Sequence, residues 1–144
     1  MFKKILIATD GSENSKRAVN AGIEIAKMFD GKVTAVFVSD PRRYFMGEVS
    51  HNIADKVMEG VKNEVTREGE TAIRYAEEGA KLASVPFEKK IVEGHPAEEI
   101  LKLGVSMDLI VLGRMGLTGM PKFLLGSVAE KIIRNSKVPV HVVI

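Results

Sequence analysis

The sequence contains no cysteine and no tryptophan among its 144 residues. Without cysteine, the chain cannot form disulfides, thiolate zinc sites or iron–sulfur clusters, and it cannot use a thiol as a nucleophile. The apolar run near the start ends at Asp10, and no run approaches the roughly 18 apolar residues that a membrane span needs. Because no signal-peptide core follows either, we expect a soluble protein that stays in the cytoplasm.

Clusters of basic charge and aromatic side chains are also scarce. The 21 basic and 19 acidic residues give a formal net charge of +2, and most of the basic residues are interleaved with acidic ones. Nucleic-acid binding favours clustered lysine and arginine, with aromatic platforms for single strands, but the chain has only six phenylalanines and two tyrosines. The composition therefore predicts no nucleic-acid partner.

Strand and helix patterns alternate from one end of the chain to the other. Five segments are predicted strands: 3–9, 33–38, 86–92, 108–112 and 138–144. The first and fourth contain continuously apolar runs, which are typical of strands covered on both faces of a parallel sheet. The alternation predicts one α/β domain over residues 1–144, with a doubly wound parallel sheet and helices on both of its faces.

Glycines interrupt the longest helical pattern, which covers about residues 53–84 after a predicted loop at 42–52. Each glycine costs up to about 1 kcal/mol relative to alanine inside a helix. We expect Gly69, near the middle of the pattern, to break or kink the helix. At the start of the first helix, Ser12 or Asn14 is placed to act as the N-terminal cap.

The loop after the fourth predicted strand is rich in glycine. It begins Gly113-Arg114-Met115-Gly116, and Gly126-Ser127 opens the last predicted helix. Glycine lets main-chain N–H groups approach an anion closely, and a helix N-terminus supplies unpaired N–H donors. The pattern predicts a phosphate-binding loop. The same residues also suit an ordinary turn and helix start, in which the glycines serve only the backbone.

Asp10, directly after the first predicted strand, is the second candidate. Ligands of doubly wound sheets bind outside the carboxyl ends of the strands, where the strand order reverses. A carboxylate there can accept hydrogen bonds from a ribose, or help to hold a divalent ion that accompanies phosphates. It can equally be a turn residue or a helix cap.

Other motifs for phosphate binding or catalysis are missing from the sequence. Neither loop is a Walker P-loop, and no G-x-G-x-x-G follows the first strand. His51, His95 and His141 lie far apart, and none accompanies an obvious nucleophile or second metal ligand. We therefore predict no catalytic residues.

Together the motifs resemble the universal stress protein family over essentially the whole chain. The matching segments are Lys3 to Ser12, Gly94-His95-Pro96, Asp108 to Gly113, Gly113-x2-Gly116-x9-Gly126-Ser127 and Val138 to Val143. The glycine–serine pattern marks the ATP-binding branch of that family. The resemblance implies a Rossmann-like fold of the adenine nucleotide alpha hydrolase-like type, with strand order 3-2-1-4-5 and ATP between the first and fourth strands.

By position, the resemblance implies that Ala8, Thr9 and Asp10 contact adenine and ribose, and that Val38 touches the base. It places six further residues around the ribose and phosphates: Gly113, Arg114, Gly116, Gly126, Ser127 and Val128. Asp10 is also a candidate ligand of Mg²⁺ bound with ATP. Arg114 stands where the family often has a small residue, and its guanidinium can either pair with a phosphate or crowd the pocket.

Three functions follow from these motifs and the resemblance. The first is a nucleotide-dependent stress-response or regulatory protein that binds ATP with little or no turnover and has an unidentified protein partner. Like many relatives, it would form a homodimer through its last strand, Val138–Ile144, an apolar edge. The second is a slow ATPase or nucleotide hydrolase that uses Asp10. The third is a ligand-free dimeric interaction module.

Overall fold

Residues 1–44, 51–115 and 124–144 are described by the computed structural model, and they contain one five-stranded parallel sheet. Its strands are β1 (Lys4–Ala8), β2 (Lys32–Ser39), β3 (Phe87–Glu93), β4 (Leu109–Gly113) and β5 (Val140–Val143). They lie in the order β3-β2-β1-β4-β5, and each neighbouring pair is parallel. The predicted fold class and the strand order that the family resemblance implies are confirmed.

In the described part of the chain, four α-helices and one short 3-10 turn connect the strands. They are α1 (Glu13–Met28), α2 (His51–Leu82), α3 (Pro96–Gly104), α4 (Ser127–Asn135) and the turn Pro41–Tyr44. α1 and α2 pack on one face of the sheet, while α3 and α4 pack on the other. None of these described helices is both long and apolar enough to cross a membrane.

The central strand β1 is buried on both faces, as its continuous apolar run predicts. Ile5 and Ile7 belong to the core under α1 and α2, whereas Leu6 belongs to the core under α3 and α4. All three side chains are 0% exposed. Burying one such side chain stabilises the fold by roughly 1.5–3 kcal/mol. Because successive side chains of β1 point to opposite faces, both helical layers pack against the same strand.

Ser12 forms the N-terminal cap of α1, which decides between the two candidates that the sequence offers. Its Oγ accepts a hydrogen bond of 3.2 Å from the main-chain N–H of Ser15, while Asn14 lies inside the first helical turn. At its other end α1 stops at Met28, and Asp30 adopts a positive φ of 49° as the chain turns towards β2.

α2 continues across Gly69, so the predicted break is wrong, whereas a kink at this residue stays a prediction. A Cβ built on Gly69 would lie only 2.6 Å from Cδ1 of Phe37, a buried side chain of β2. The glycine therefore brings the helix close to the sheet. The predicted loop at 42–52 is also too long at both ends, because Pro41–Tyr44 form the 3-10 turn and α2 begins at His51.

The two edge strands differ in their charge. On β3, the carboxylate of Glu88 forms ion pairs with Lys32 and Lys90, at 2.6 and 3.3 Å. Hydrogen bonds from these two ammonium groups lower the pKa of Glu88. β5 is shorter than the predicted 138–144, and its side chains are partly buried except for the exposed His141. Charged side chains discourage strand addition, so β3 is the better guarded edge.

Candidate functional site

The carboxyl ends of β2, β1 and β4 open into one cavity of about 270 Å³. From β1 the strands continue in chain order towards one edge of the sheet, through β2 to β3, whereas from β4 they continue towards the other edge, to β5. The strand order therefore reverses between β1 and β4, and doubly wound sheets bind ligands at such a point. α3 contributes Pro96 and Ile100 to the wall, and the first turn of α4 contributes residues 127–129. The volume is close to the lower end of the range for ligand pockets, which begins at roughly 300 Å³.

Nine of the ten residues predicted to contact a nucleotide line this cavity. They are Ala8, Thr9, Asp10, Val38, Gly113, Arg114, Gly126, Ser127 and Val128. The tenth, Gly116, lies outside the described residues. The loop after β1 and the start of α4 thus meet at the same hollow, as a shared ligand would require. Which part of a ligand each residue contacts stays a prediction.

Hydrogen bonds fix the loop between β1 and α1 at the cavity. Oγ1 of Thr9 donates to Oγ of Ser15 (3.1 Å), which donates to the main-chain oxygen of Ser12 (2.9 Å), and both hydroxyl side chains are buried. The main-chain N–H of Ser12 donates to Oδ1 of Asp10 (2.9 Å). Gly11 supplies the positive φ of 83° in this turn. The Asp10 carboxylate is therefore held in a set orientation.

The start of α4 presents main-chain donors to the cavity. Gly126 is the N-cap, and no side chain in the described segments caps the helix. The first N–H groups of a helix have no partner within it, and the positive end of the helix dipole lies at the same point. Main-chain hydrogen bonds of 2.9 Å join Gly126 N to Arg114 O and Arg114 N to Val143 O. This end of α4 can bind an anion such as phosphate.

Gly113 serves the packing of the backbone. A Cβ at this position would lie 2.8 Å from the main-chain carbon and oxygen of Asn14, so glycine allows β4 and α1 to approach closely. The geometry here supports the alternative in which the fold itself requires the glycine. The residue also lines the cavity, so a ligand role is compatible with the packing role.

Nine further residues line the cavity that are not among the predicted contacts: Ser15, Val36, Phe37, Asp40, Pro96, Ile100, Leu112, Met115 and Ala129. Asp40 follows the end of β2 directly, so the strand-end rule that singles out Asp10 could have found it too. Pro96 and Ile100 belong to α3. Their local pattern predicts a helix but does not show that the helix packs over the carboxyl end of the sheet.

Asp40 carries a largely buried negative charge at the β2 end of the cavity. Its side chain is 12% exposed, and its Oδ2 accepts a hydrogen bond of 2.7 Å from Nη2 of Arg42. Nε and the main-chain N–H of Arg42 both donate to Oδ1 at 3.0 Å. The hydrogen bond from the Arg42 side chain is the main cause that lowers the pKa of Asp40, and burial opposes it. The carboxylate therefore stays ionised.

The histidines are dispersed, and no group of three metal-binding side chains occurs in the described part of the chain. His95 is the N-cap of α3, and its buried Nδ1 has no hydrogen-bond partner among the described atoms. His141 is exposed on β5. A Mg²⁺ ion at this cavity would therefore take most of its oxygen ligands from phosphates and water, with Asp10 as one candidate protein ligand.

Comparisons with known proteins identify close relatives. The sequence model of the universal stress protein family matches residues 1–143. Universal stress protein MJ0531 of Methanocaldococcus jannaschii is 39% identical over 145 residues, covering 99% of this chain and 82% of the relative. The solved structure of hypothetical protein MJ0577 has a TM-score of 0.79 at 30% identity and covers 99% and 96% of the two chains. A universal stress protein solved in complex with cAMP has a TM-score of 0.73 at 28% identity and covers 99% and 97%.

Proposed function

The chain belongs to the universal stress protein family, and from this premise we propose that it binds ATP in the cavity at the carboxyl ends of β1, β2 and β4. The observation that carries the proposal is the meeting of Asp10 and the start of α4 in one hollow. A similar universal stress protein was solved with cAMP, which supports an adenine nucleotide as the ligand class.

In this proposal the phosphates lie at the start of α4, where main-chain N–H groups and the helix dipole favour negative charge. The residues around the ribose and phosphates are Gly113, Arg114, Gly116, Gly126, Ser127 and Val128. The residues around adenine and ribose are Ala8, Thr9, Asp10 and Val38. When Mg²⁺ accompanies the nucleotide, Asp10 would supply one oxygen ligand beside those of the phosphates.

We assign the nucleotide a regulatory role with little or no turnover. Of the described residues, Asp10 and Asp40 bring carboxylates to the cavity, and both accept hydrogen bonds, from Ser12 and Arg42 respectively. The hydrogen bond from the Arg42 side chain lowers the pKa of Asp40, which makes that carboxylate a weaker general base. The bound nucleotide would change the surface offered to a protein partner during stress, and a cytoplasmic location would provide the ATP.

Two chains would pair through β5 to form a homodimer. Ile110 N and Arg114 N donate to the main-chain oxygens of Pro139 and Val143, so these carbonyls point towards β4. Carbonyls alternate along a strand, and those of Val140 and Val142 therefore point away from the sheet. An outward row of main-chain groups without the charges that guard β3 is the edge suited to pairing.

The contribution of the α4 amides can be isolated at Ser127, the first residue of the helix. Ser127→Pro removes this N–H together with the hydroxyl, whereas Ser127→Ala removes the hydroxyl alone. Proline suits the first helical position, and the extended backbone of Gly126 (φ −63°, ψ 154°) accepts a following proline. We expect calorimetry with ATP and Mg²⁺ to show roughly 10-fold weaker binding for the proline variant than for the alanine variant, about the loss of one charge-assisted hydrogen bond.

Equal affinities of the two Ser127 variants would contradict the role of the helix amides. Failure of the wild-type protein to bind ATP at all would favour the ligand-free interaction module instead. Sustained release of ADP or AMP by the purified protein, lost in Asp10→Ala, would favour the slow hydrolase.

A further inference from the structure

A buried serine lies beside the loop that carries Asp10. Ser15 is 4% exposed, belongs to the first turn of α1 and lines the cavity. It makes two hydrogen bonds to Ser12: its main-chain N–H donates to Oγ at 3.2 Å, and its own Oγ donates to the main-chain oxygen at 2.9 Å. The first of these bonds caps α1. The second is an additional contact that the capping of the helix does not require.

The direction of each hydrogen bond around Ser15 is fixed by its chemistry. A main-chain oxygen has no proton to donate, so the one hydroxyl proton of Ser15 goes to Ser12. The Ser15 oxygen can then only accept from the hydroxyl of Thr9, 3.1 Å away. Oγ1 of Thr9 in turn accepts from the main-chain N–H of Gly11 at 3.3 Å. The hydrogen bonds therefore run in one direction, from Gly11 through Thr9 and Ser15 to the carbonyl of Ser12.

This row of hydrogen bonds encloses the turn in which Asp10 lies. Gly11 has a φ of 83°, and a glycine loses more conformational freedom on ordering than any other residue. Oδ1 of Asp10 accepts from the main-chain N–H of Ser12, so the carboxylate keeps its orientation only while Ser12 keeps its position. The hydroxyl of Ser15 holds the carbonyl of the same residue. Ser15 thus supports the orientation of Asp10 without touching it.

We propose that Ser15 is a positioning residue of the nucleotide site, which acts on the ligand through Ser12 and Asp10. The inference rests on the proposed function, because it needs a nucleotide that contacts Asp10. Ordering a turn costs conformational entropy. When the hydroxyl of Ser15 orders this turn in the ligand-free protein, binding does not bear that cost. Without the hydroxyl, the turn is ordered only as the nucleotide binds, and the affinity falls.

Ser15→Ala removes the hydroxyl and leaves the N–H that caps α1, so the helix should still form. We expect calorimetry with ATP and Mg²⁺ to show roughly 10-fold weaker binding than by the wild-type protein. In an Asp10→Ala background the same substitution should change the affinity by less than about twofold, because no carboxylate is left to orient. Ser136→Ala is the matched control, since it removes a part-buried hydroxyl that donates to a main-chain oxygen, at the C-terminal end of α4. It should keep the wild-type affinity.

Amide hydrogen exchange measures the order of the turn without any ligand. The two amides to follow are those of Gly11 and Ser12, which donate to Thr9 and Asp10. In Ser15→Ala they should exchange roughly 10-fold faster than in the wild-type protein, and ATP should slow them again. In Ser136→Ala they should exchange at the wild-type rate.

The outcomes separate this role from the proposed function. Equal losses of affinity from Ser15→Ala in the wild-type and Asp10→Ala backgrounds would overturn the positioning role, because Ser15 would then act independently of Asp10. Unchanged exchange at Gly11 and Ser12 would overturn it too, and this result decides if Asp10→Ala binds ATP too weakly to measure. Failure of the wild-type protein to bind ATP would refute the proposed function, and the exchange rates would show separately whether Ser15 orders the turn.

Discussion

At the scale of single residues, the two carboxylates of the cavity show that a sequence can predict where a side chain lies but not which ion pair it forms. Asp10 and Asp40 each follow a strand, and each accepts a hydrogen bond from the N–H two positions later, of Ser12 and Arg42. Their place beside the cavity follows from the rule for strand ends in such sheets. The ion pair of Asp40 could not be predicted, because it depends on the 3-10 turn that Pro41–Tyr44 form.

Arg42 is expected to keep Asp40 ionised at unusually low pH. Its side-chain hydrogen bond is the main cause that lowers the pKa of Asp40 below the ordinary 3.8. Because the folded-state pKa lies below the unfolded one, the stabilisation is complete above about pH 4 and is lost as the pH falls through the folded-state pKa. In Arg42→Gln, NMR titration should give Asp40 a pKa nearer 3.8, and the stability should fall less steeply below that pH.

Lys81→Gln, near the C-terminal end of α2, is the matched loss of one positive charge away from the cavity. It should leave the titration of Asp40 as in the wild-type protein. An Asp40 titration that does not respond to Arg42→Gln would show that the ion pair is absent in solution.

At the scale of elements, the apolar runs predicted the strands more accurately than the glycines predicted where a helix is interrupted. α4 occupies residues 127–135, as its pattern predicts, and the bounds of β1, β2 and β3 differ from the predictions by one residue at each end. Runs buried on both faces leave little ambiguity about where a strand lies. Gly69 misled because helix propensity is a local property, whereas its contact with Phe37 joins residues distant in sequence.

Two glycines of α2 should therefore respond to alanine with opposite sign. At Gly69 a Cβ would lie 2.6 Å from Cδ1 of Phe37, so Gly69→Ala should lower the free energy of unfolding by about 1–3 kcal/mol. At Gly60 a Cβ meets no described atom within 4 Å, so Gly60→Ala should raise it by up to about 1 kcal/mol. Urea unfolding of the two variants and the wild-type protein measures both changes. A gain in stability from Gly69→Ala would mean that α2 does not lie against β2 in this way.

At the scale of the whole molecule, alternation of strand and helix discloses the class of the fold but not the order of its strands. Right-handed crossovers restrict the arrangements that a parallel sheet can adopt. They do not say that β1 and β4 become neighbours, because that pairing joins segments about a hundred residues apart. The order 3-2-1-4-5 was available only through the family resemblance. The position of α3 beside the cavity cannot be predicted from the sequence for the same reason.

Negative charge introduced at the β5 edge of the sheet should dissociate the proposed dimer. His141→Asp with Ile144→Asp puts carboxylates on two exposed positions at β5, where they would meet like charges across a twofold axis. We expect analytical ultracentrifugation to show dimers of the wild-type protein and at least roughly 10-fold weaker association of this variant, about 1.4 kcal/mol.

Lys89→Asp with Ile91→Asp is the matched change on exposed positions of β3. This variant should remain dimeric. Dissociation caused by the β3 variant but not by the β5 variant would assign the contact to the other edge.

Arg114 joins two regions that would otherwise be remote from each other. Its main-chain N–H donates to the carbonyl of Val143 on the edge strand β5, and its carbonyl accepts from the N–H of Gly126, the N-cap of α4. The last strand and the start of α4 are thus both hydrogen-bonded to the main chain of one residue. If the proposed nucleotide changes the strength of the proposed dimer by some factor, dimerisation must change the affinity for the nucleotide by the same factor, because coupling between two binding equilibria is reciprocal.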